Sequence, residues 1–115
     1  MSSNPDCLFC RIVAGEIPSE RLYEDDEILV FRDISPQAPF HALLIPKIHL
    51  ATLNDLRPEH AEMAGRLFLV AKSLAGEHDL PAYRVVVNTN AEAGQTVFHV
   101  HMHLLAGRPM RLGLG

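Results

Sequence analysis

The segment Thr96 to Leu105 reads Thr-Val-Phe-His-Val-His-Met-His-Leu-Leu, with three histidines at two-residue spacing and an apolar residue in each gap. In an extended strand alternate side chains share a face. The spacing therefore predicts His99, His101 and His103 on one face and Phe98, Val100, Met102 and Leu104 on the other. The imidazoles would rise along the strand about 6.7 Å apart while the apolar face enters the core. Two chemistries suit such a row. Neutral imidazoles are common metal ligands. An imidazole with a pKa of about 6.5 is also substantially unprotonated at pH 7, and so can act as the nucleophile in phosphoryl or nucleotidyl transfer.

The residues ahead of the histidines bear on that choice. Gly94-Gln95-Thr96 offers a close-approaching backbone, an amide and a hydroxyl, all able to hold phosphate oxygens without a formal positive charge. Asp33, at the end of an apolar run, offers a carboxylate to a ribose diol or, equally, a cap to a turn. A second cluster stands near the N-terminus, where Cys7 and Cys10 are separated by Leu8 and Phe9. Two thiolates are too few for a closed zinc site, so a tetrahedral zinc would need two further ligands. A redox pair is disfavoured because no thioredoxin-like βαβ pattern surrounds them, and two reduced packing cysteines remain an alternative.

The elements that must position these residues follow from periodicity. Cys7 to Ala14 has apolar residues at helical intervals and Gly15 to end them, predicting a short helix. Arg21 to Glu24 and Ile28 to Ile34 read as two strands joined by the acidic turn Asp25-Asp26-Glu27, and His41 to Ile45 as a third. Pro58 to about Glu77 is the main helix, with Ala64, Leu67, Phe68, Ala71, Leu74 and Ala75 on one face and Gly76 and Pro81 closing it. Met63, Leu69 and Val70 widen that apolar surface, which fits either a dimer contact or deeper burial. Tyr83 to Asn88 and Val97 to Leu105 complete an antiparallel hairpin. Met1 to Pro5 and Gly107 to Gly115 read as tails, and His60 and His78, at the ends of the helix, as solvent-facing residues without function.

The 115 residues predict one domain, and 48% hydrophobic with 21% charged residues is ordinary for a soluble globule. A net charge of −4 argues against a nucleic-acid backbone binder. The absence of any long apolar run argues against a membrane span, and the short polar start against a signal peptide. A cytosolic protein is expected.

The run His99-Val-His-Met-His-Leu-Leu resembles the signature of the histidine triad (HIT) family, and specifically its Hint branch. The resemblance extends over nearly the whole chain. It includes Cys-Leu-Phe-Cys-Arg-Ile-Val-Ala-Gly-Glu-Ile-Pro at the start, Phe-Arg-Asp-Ile-Ser-Pro-Gln-Ala-Pro-Phe-His in the middle, and Arg-Val-Val-Val-Asn before Gly-Gln-Thr-Val-Phe-His. It implies an α+β fold with a five-stranded antiparallel sheet, one long and one short helix, pairing into a homodimer.

The function it implies is hydrolysis of purine nucleoside 5′-phosphoramidates or adenylated compounds, releasing a nucleoside monophosphate. By that resemblance His101 is the nucleophile that forms a covalent nucleotidyl-histidine, His103 contacts the phosphate, His41 supports His103, and the Thr96 hydroxyl serves the leaving group. Relatives often carry serine at the Thr96 position. Asp33 and Ile34 would line the ribose and base, and Asn88 with the backbone of Gly94, Gln95 and Thr96 the phosphate or sugar edge. In zinc-bearing relatives the two missing ligands correspond to His49 and His99, giving a Cys7, Cys10, His49, His99 site that pins the short helix to the sheet. Dinucleoside polyphosphate hydrolysis, typical of a sister branch, and a nucleotide-binding interaction module are the rival readings. The terminal Leu112-Gly113-Leu114-Gly115 lacks the aromatic residue found in relatives, which bears on leaving-group selectivity.

Overall fold

The computed structural model describes residues 4–110; the expectations for 1–3 and for the Leu112 to Gly115 terminus lie outside the described residues. The chain begins with helix α1 (Leu8–Val13), whose N-cap Cys7 accepts the Cys10 amide through Sγ at 3.4 Å. Strands β1 (Arg21–Glu24) and β2 (Ile28–Arg32) follow, then β3 (Phe40–Pro46). Single 3-10 turns at Leu53–Asp55 and Pro58–His60 lead into helix α2 (Ala61–Glu77). Strands β4 (Tyr83–Val86) and β5 (Met102–Ala106) close one five-stranded antiparallel sheet in the order β1-β2-β3-β5-β4. Among the described residues no helix is long and apolar enough to cross a membrane.

Both faces of the sheet are covered, which is why β2 and β3 read as nearly continuous apolar runs rather than alternating ones. On one face Ile28, Val30, Phe40, Ala42, Leu44, Met102 and Leu104 pack against Met63, Leu67, Val70, Ala71 and Leu74 of α2. On the other, Leu29, Phe31, Leu43 and Ile45 pack against Cys7, Phe9, Cys10 and Ile12 of α1. Of the wider apolar surface helix α2 buries Met63 and Val70 and leaves Leu69 63% exposed, and Phe68, expected on the packed face, is 58% exposed instead.

Several boundaries differ from the sequence reading. Strand β2 ends at Arg32, leaving Asp33 and Ile34 in the following loop, and β4 ends at Val86, short of Asn88. The first helical turn of the Pro58 segment is 3-10, and Gly76 lies inside α2, which runs on to Glu77 before Asp79 takes a positive φ of 53°. The largest departure is at the histidines: β5 begins at Met102, so His99 and His101 precede the strand and only His103 is part of it. Neither terminal histidine of the helix is free. His60 Nδ1 accepts the Arg57 amide at 2.9 Å, and the His78 ring lies 4.9 Å from that of Phe40.

Candidate active site

His41 and His103 come from neighbouring central strands. The register pairs His41 with Leu105 and Leu43 with His103, which makes the two histidines diagonal neighbours on the face that carries α1. His41 Nε2 and His103 Nδ1 are 2.9 Å apart. The direction of that bond is decided one step back, where the Gln37 amide donates to His41 Nδ1 at 3.0 Å. A backbone N–H can only donate, so Nδ1 of His41 is the acceptor nitrogen and Nε2 carries the proton in the neutral ring. His41 Nε2–H therefore donates to His103 Nδ1, and His103 in turn keeps its proton on Nε2. Asp33 Oδ2 lies 3.5 Å from His41 Nε2, on the side that favours a proton there.

His101 is oriented separately. Its Nδ1–H donates to the carbonyl of His99 at 2.8 Å, which leaves Nε2 unprotonated with a free lone pair. The His101 ring stands 4.9 Å from that of His103, and the Phe9 ring of α1 meets it edge-on at 5.1 Å. Burial pushes the imidazole of His101 below its ordinary pKa, and does the same to His41 against the opposing pull of Asp33. His103 is pushed down to about 4, first by burial and then by the neighbouring His101 and His41. All three rings are neutral at pH 7, with a lone pair on one and a donor proton on its neighbour. That pairing can attack an electrophile and stabilise the anion beside it.

The third triad histidine faces elsewhere. His99 is fully buried, donates from Nε2–H to the Pro46 carbonyl at 2.7 Å, and turns Nδ1 toward Cys7 Sγ at 3.4 Å and Cys10 Sγ at 3.5 Å. His49 Nδ1 lies 3.3 Å from Cys10 Sγ. The four ligand atoms lie within 4.8 Å of one another. Bonds of about 2.0–2.3 Å to a tetrahedral zinc would hold sulfur and nitrogen ligands roughly 3.5 Å apart, so donor type and spacing both fit. The Pro46 carbonyl supplies the outer hydrogen bond that fixes a ligating imidazole. Burial raises the Cys10 thiol above its ordinary pKa, which a cation at this point would reverse.

The loop before β5 is held by Gln95, only 3% exposed. Its side-chain Nε2 donates to the carbonyls of Ala51 (2.7 Å) and Val97 (3.1 Å), and its Oε1 accepts the Asn90 amide at 2.8 Å. The Gly94 and Gln95 amides donate to Ala91 and Asn90 carbonyls at 3.0 and 3.1 Å. Of the three residues expected to cradle phosphate, then, only Thr96 has an amide outside these bonds, and Thr96 is exposed, as is Gly94, while Gln95 is buried. Gly94 takes φ +104, with Asn88 Nδ2 3.7 Å from where a Cβ would lie, so Asn88 borders this loop. Asp33 accepts the Ser35 amide on Oδ1 at 2.8 Å, the turn-capping role weighed against the ribose role, and its Oδ2 remains directed at His41. Ile34 is 94% exposed, an apolar side chain held in solvent beside the carboxylate.

A cavity of about 730 Å³ runs over residues 48–60 and touches none of His41, His101 or His103. A cleft of about 340 Å³ joins Thr96, Val97 and Phe98 to Cys7 and His49. It is the hydrogen-bond geometry that marks the histidines, with His41 and His103 on the sheet and His101 just before β5. The sequence reading missed the Gln37 amide, a backbone group with no residue-type signal, and the Phe9 ring, whose position inside the Cys-x-x-Cys segment was the one available clue.

A sheet face carrying an oriented neutral histidine, a donor histidine and a capped cysteine–histidine cluster belongs to a hydrolase of the histidine-triad class. Comparison agrees: the HIT domain model matches residues 14–110. The chain is 47% identical over 107 residues to the purine nucleoside phosphoramidase of Escherichia coli K12, covering 91% of this chain and 90% of that one. A HIT family hydrolase from Legionella pneumophila superposes with TM-score 0.93 at 48% identity, covering 96% of this chain and 100% of the other. A Clostridium thermocellum HIT family hydrolase gives 0.94 at 36% identity, covering 97% and 99%. The chain belongs to the HIT family, in its Hint-like branch.

Proposed function

We propose that the protein hydrolyses purine nucleoside 5′-phosphoramidates and related adenylated compounds through a nucleotidyl-histidine on His101. The observation that supports this reading is the bond from His101 Nδ1–H to the His99 carbonyl, which leaves the opposite nitrogen unprotonated with a lone pair available for attack. Nε2 of His101 attacks the α-phosphorus and forms a P–N bond while the bond from phosphorus to the leaving amine breaks. The amine takes up a proton from solvent, relayed through the Thr96 hydroxyl, which is reprotonated in the same relay. Water then attacks the same phosphorus and returns one proton to solvent, the P–Nε2 bond breaks with its electron pair going back to Nε2, and the nucleoside monophosphate leaves with His101 neutral again. His103 Nε2–H donates to a non-bridging oxygen in both steps, while Asp33 and Ile34 receive the ribose and base and Asn88 the sugar edge. The relative from E. coli, named for a phosphoramidase activity, supports the substrate class.

Incubation with adenosine 5′-phosphoramidate is expected to release AMP, and His101→Ala to lower turnover by about three orders of magnitude or more. Equal rates in the two proteins would overturn the mechanism. Faster AMP release from a dinucleoside polyphosphate would shift the assignment to the sister activity.

Cys7, Cys10, His49 and His99 would hold zinc, which at four protein ligands supplies structure and no open position for chemistry. A homodimer is part of the same reading. It is supported by the short edge strand β4, where Tyr83 is 44% exposed, and by the exposed Phe68 and Leu69 of α2. Sedimentation equilibrium giving a single-chain mass at micromolar concentration would remove the dimer. The two buried free cysteines accord with a reducing cytoplasm.

A further inference from the structure

The chain leaving β5 turns back over the loop that joins β2 to β3. Gly107 takes φ +103, and a Cβ there would lie 2.8 Å from Cβ of Pro39, so the backbone at 107 lies flat against that ring. One residue further, Arg108 Nη2 donates to the Gln37 carbonyl at 2.9 Å. Consecutive residues thus hold the same short loop, by close packing and by a charge-assisted hydrogen bond. The loop is also the one whose Gln37 amide meets His41 Nδ1 at 3.0 Å.

We propose that Gln37 and Arg108 are positioning residues of the histidine site: Arg108 ties the 35–39 loop in place, and the Gln37 amide thereby fixes His41 in the tautomer that donates to His103. The proposal rests on the reading that His103 presents its Nε2–H to phosphate. A backbone amide cannot exchange donor for acceptor, so with Gln37 in place a proton on His41 Nδ1 would face another N–H. Without it, His41 can carry its proton on Nδ1 and accept from His103 Nδ1–H through Nε2. The His103 Nε2 then loses its proton and turns a lone pair toward the phosphate oxygens. Asp33 Oδ2, at 3.5 Å, is a weaker restraint on the same proton, and its other oxygen is engaged by the Ser35 amide. The Gln37 side chain plays no part in the relay, since its Nε2 donates to the Ser35 carbonyl at 3.1 Å.

The test uses the full-length protein labelled with ¹⁵N, read by long-range ¹H–¹⁵N spectra of the imidazoles together with kcat and KM for adenosine 5′-phosphoramidate. Gln37→Pro deletes the N–H, Gln37→Ala keeps it, and Arg108→Ala removes the tie. Wild type and Gln37→Ala are expected to show His41 protonated on Nε2 alone. Gln37→Pro should show mixed His41 tautomers and a kcat lower by about tenfold to a hundredfold with KM changed by less than about threefold. Arg108→Ala should move both readouts the same way by a smaller factor. An unchanged His41 tautomer in Gln37→Pro overturns the role of the amide, and an unchanged tautomer in Arg108→Ala overturns that of the tie. If Gln37→Pro does not fold, the Arg108→Ala spectrum decides alone. A wild-type protein that never releases AMP strikes the phosphoramidase reading, while the tautomers still decide this one.

Discussion

At the scale of single residues, burial keeps the site neutral. A free imidazole with a pKa of about 6.5 would be partly protonated at pH 7, and a protonated His101 has no lone pair to attack with. Burial lowers the pKa of His101, so, on the proposed mechanism, the acidic limb of kcat/KM is expected at a midpoint below 6.5, measured over pH 4 to 8 with the phosphoramidate; a midpoint at or above 6.5 would contradict the proposed role of a buried, neutral His101. The same burial affects folding. His103 titrates at about 4 in the folded chain and near about 6.5 in the unfolded one, so between those values the unfolded state binds more protons. Stability therefore rises with pH across that window and falls on acidification. Urea midpoints at pH 7 and pH 5 should show the loss, and His103→Asn, which cannot titrate, should make the difference smaller.

The elements that carry these residues are tied to one another by a few polar contacts at their ends. In the β1–β2 turn, Asp25 Oδ1 accepts the Glu27 and Ile28 amides at 2.8 and 2.9 Å, Tyr23 donates to Oδ2 at 2.6 Å, and Arg66 of α2 pairs with the same carboxylate. Burial alone would raise Asp25, but the bonds from Tyr23 and the two amides, with the Arg66 charge, hold it down at about 2. Its contribution is present above about 3.8 and lost as pH falls toward about 2. Asp25→Ala is expected to cost about 1–2 kcal/mol at pH 7, chiefly through the turn amides, because the Arg66 pair is solvent-screened. An unchanged denaturation midpoint would show that the turn holds without its cap. This turn was legible in the sequence as Asp25-Asp26-Glu27 between two strand-like runs, the second of them mostly apolar, as were α2 and β3, whose patterns are long and strongly apolar. The strand expected at Val97 to Leu105 was legible only in its second half. Alternation predicted the core face of Met102 and Leu104 and the burial of Val100, but Phe98, expected on the same face, is 42% exposed, because the segment before Met102 bonds to other partners: Val100 N–H donates to the Leu50 carbonyl at 2.7 Å and His99 to Pro46. Long-range backbone contacts of that kind leave no trace in local periodicity. Cys7, Cys10, His49 and His99 could be gathered only by resemblance, since nothing in the spacing of 7, 10, 49 and 99 says that they meet.

Across the whole molecule, the sheet divides two unequal cores, and the smaller one packs beside the histidines. The α2 face is filled by a helix of 17 residues, whereas α1 has only 6 and cannot persist as an isolated helix. What holds α1 on the sheet is the packing of Phe9 and Ile12 and the cluster of Cys7 and Cys10 with His49 and His99. Phe9 in turn meets the rings of both His99 and His101, at 6.0 and 5.1 Å. If zinc occupies the cluster, it binds the folded chain far better than the unfolded one. A free concentration of about 100 times Kd would then add about 2.7 kcal/mol to stability. Protein purified without chelator is expected to contain about one zinc per chain. Treatment with a strong chelator should lower its Tm and loosen α1 first, seen as faster amide exchange over residues 8–13 while α2 stays protected. Cys10→Ser should reproduce that pattern without chelator. Equal melting and equal exchange with and without chelator would leave the cysteines as packing residues, and α1 would then be held by Phe9 and Ile12 alone.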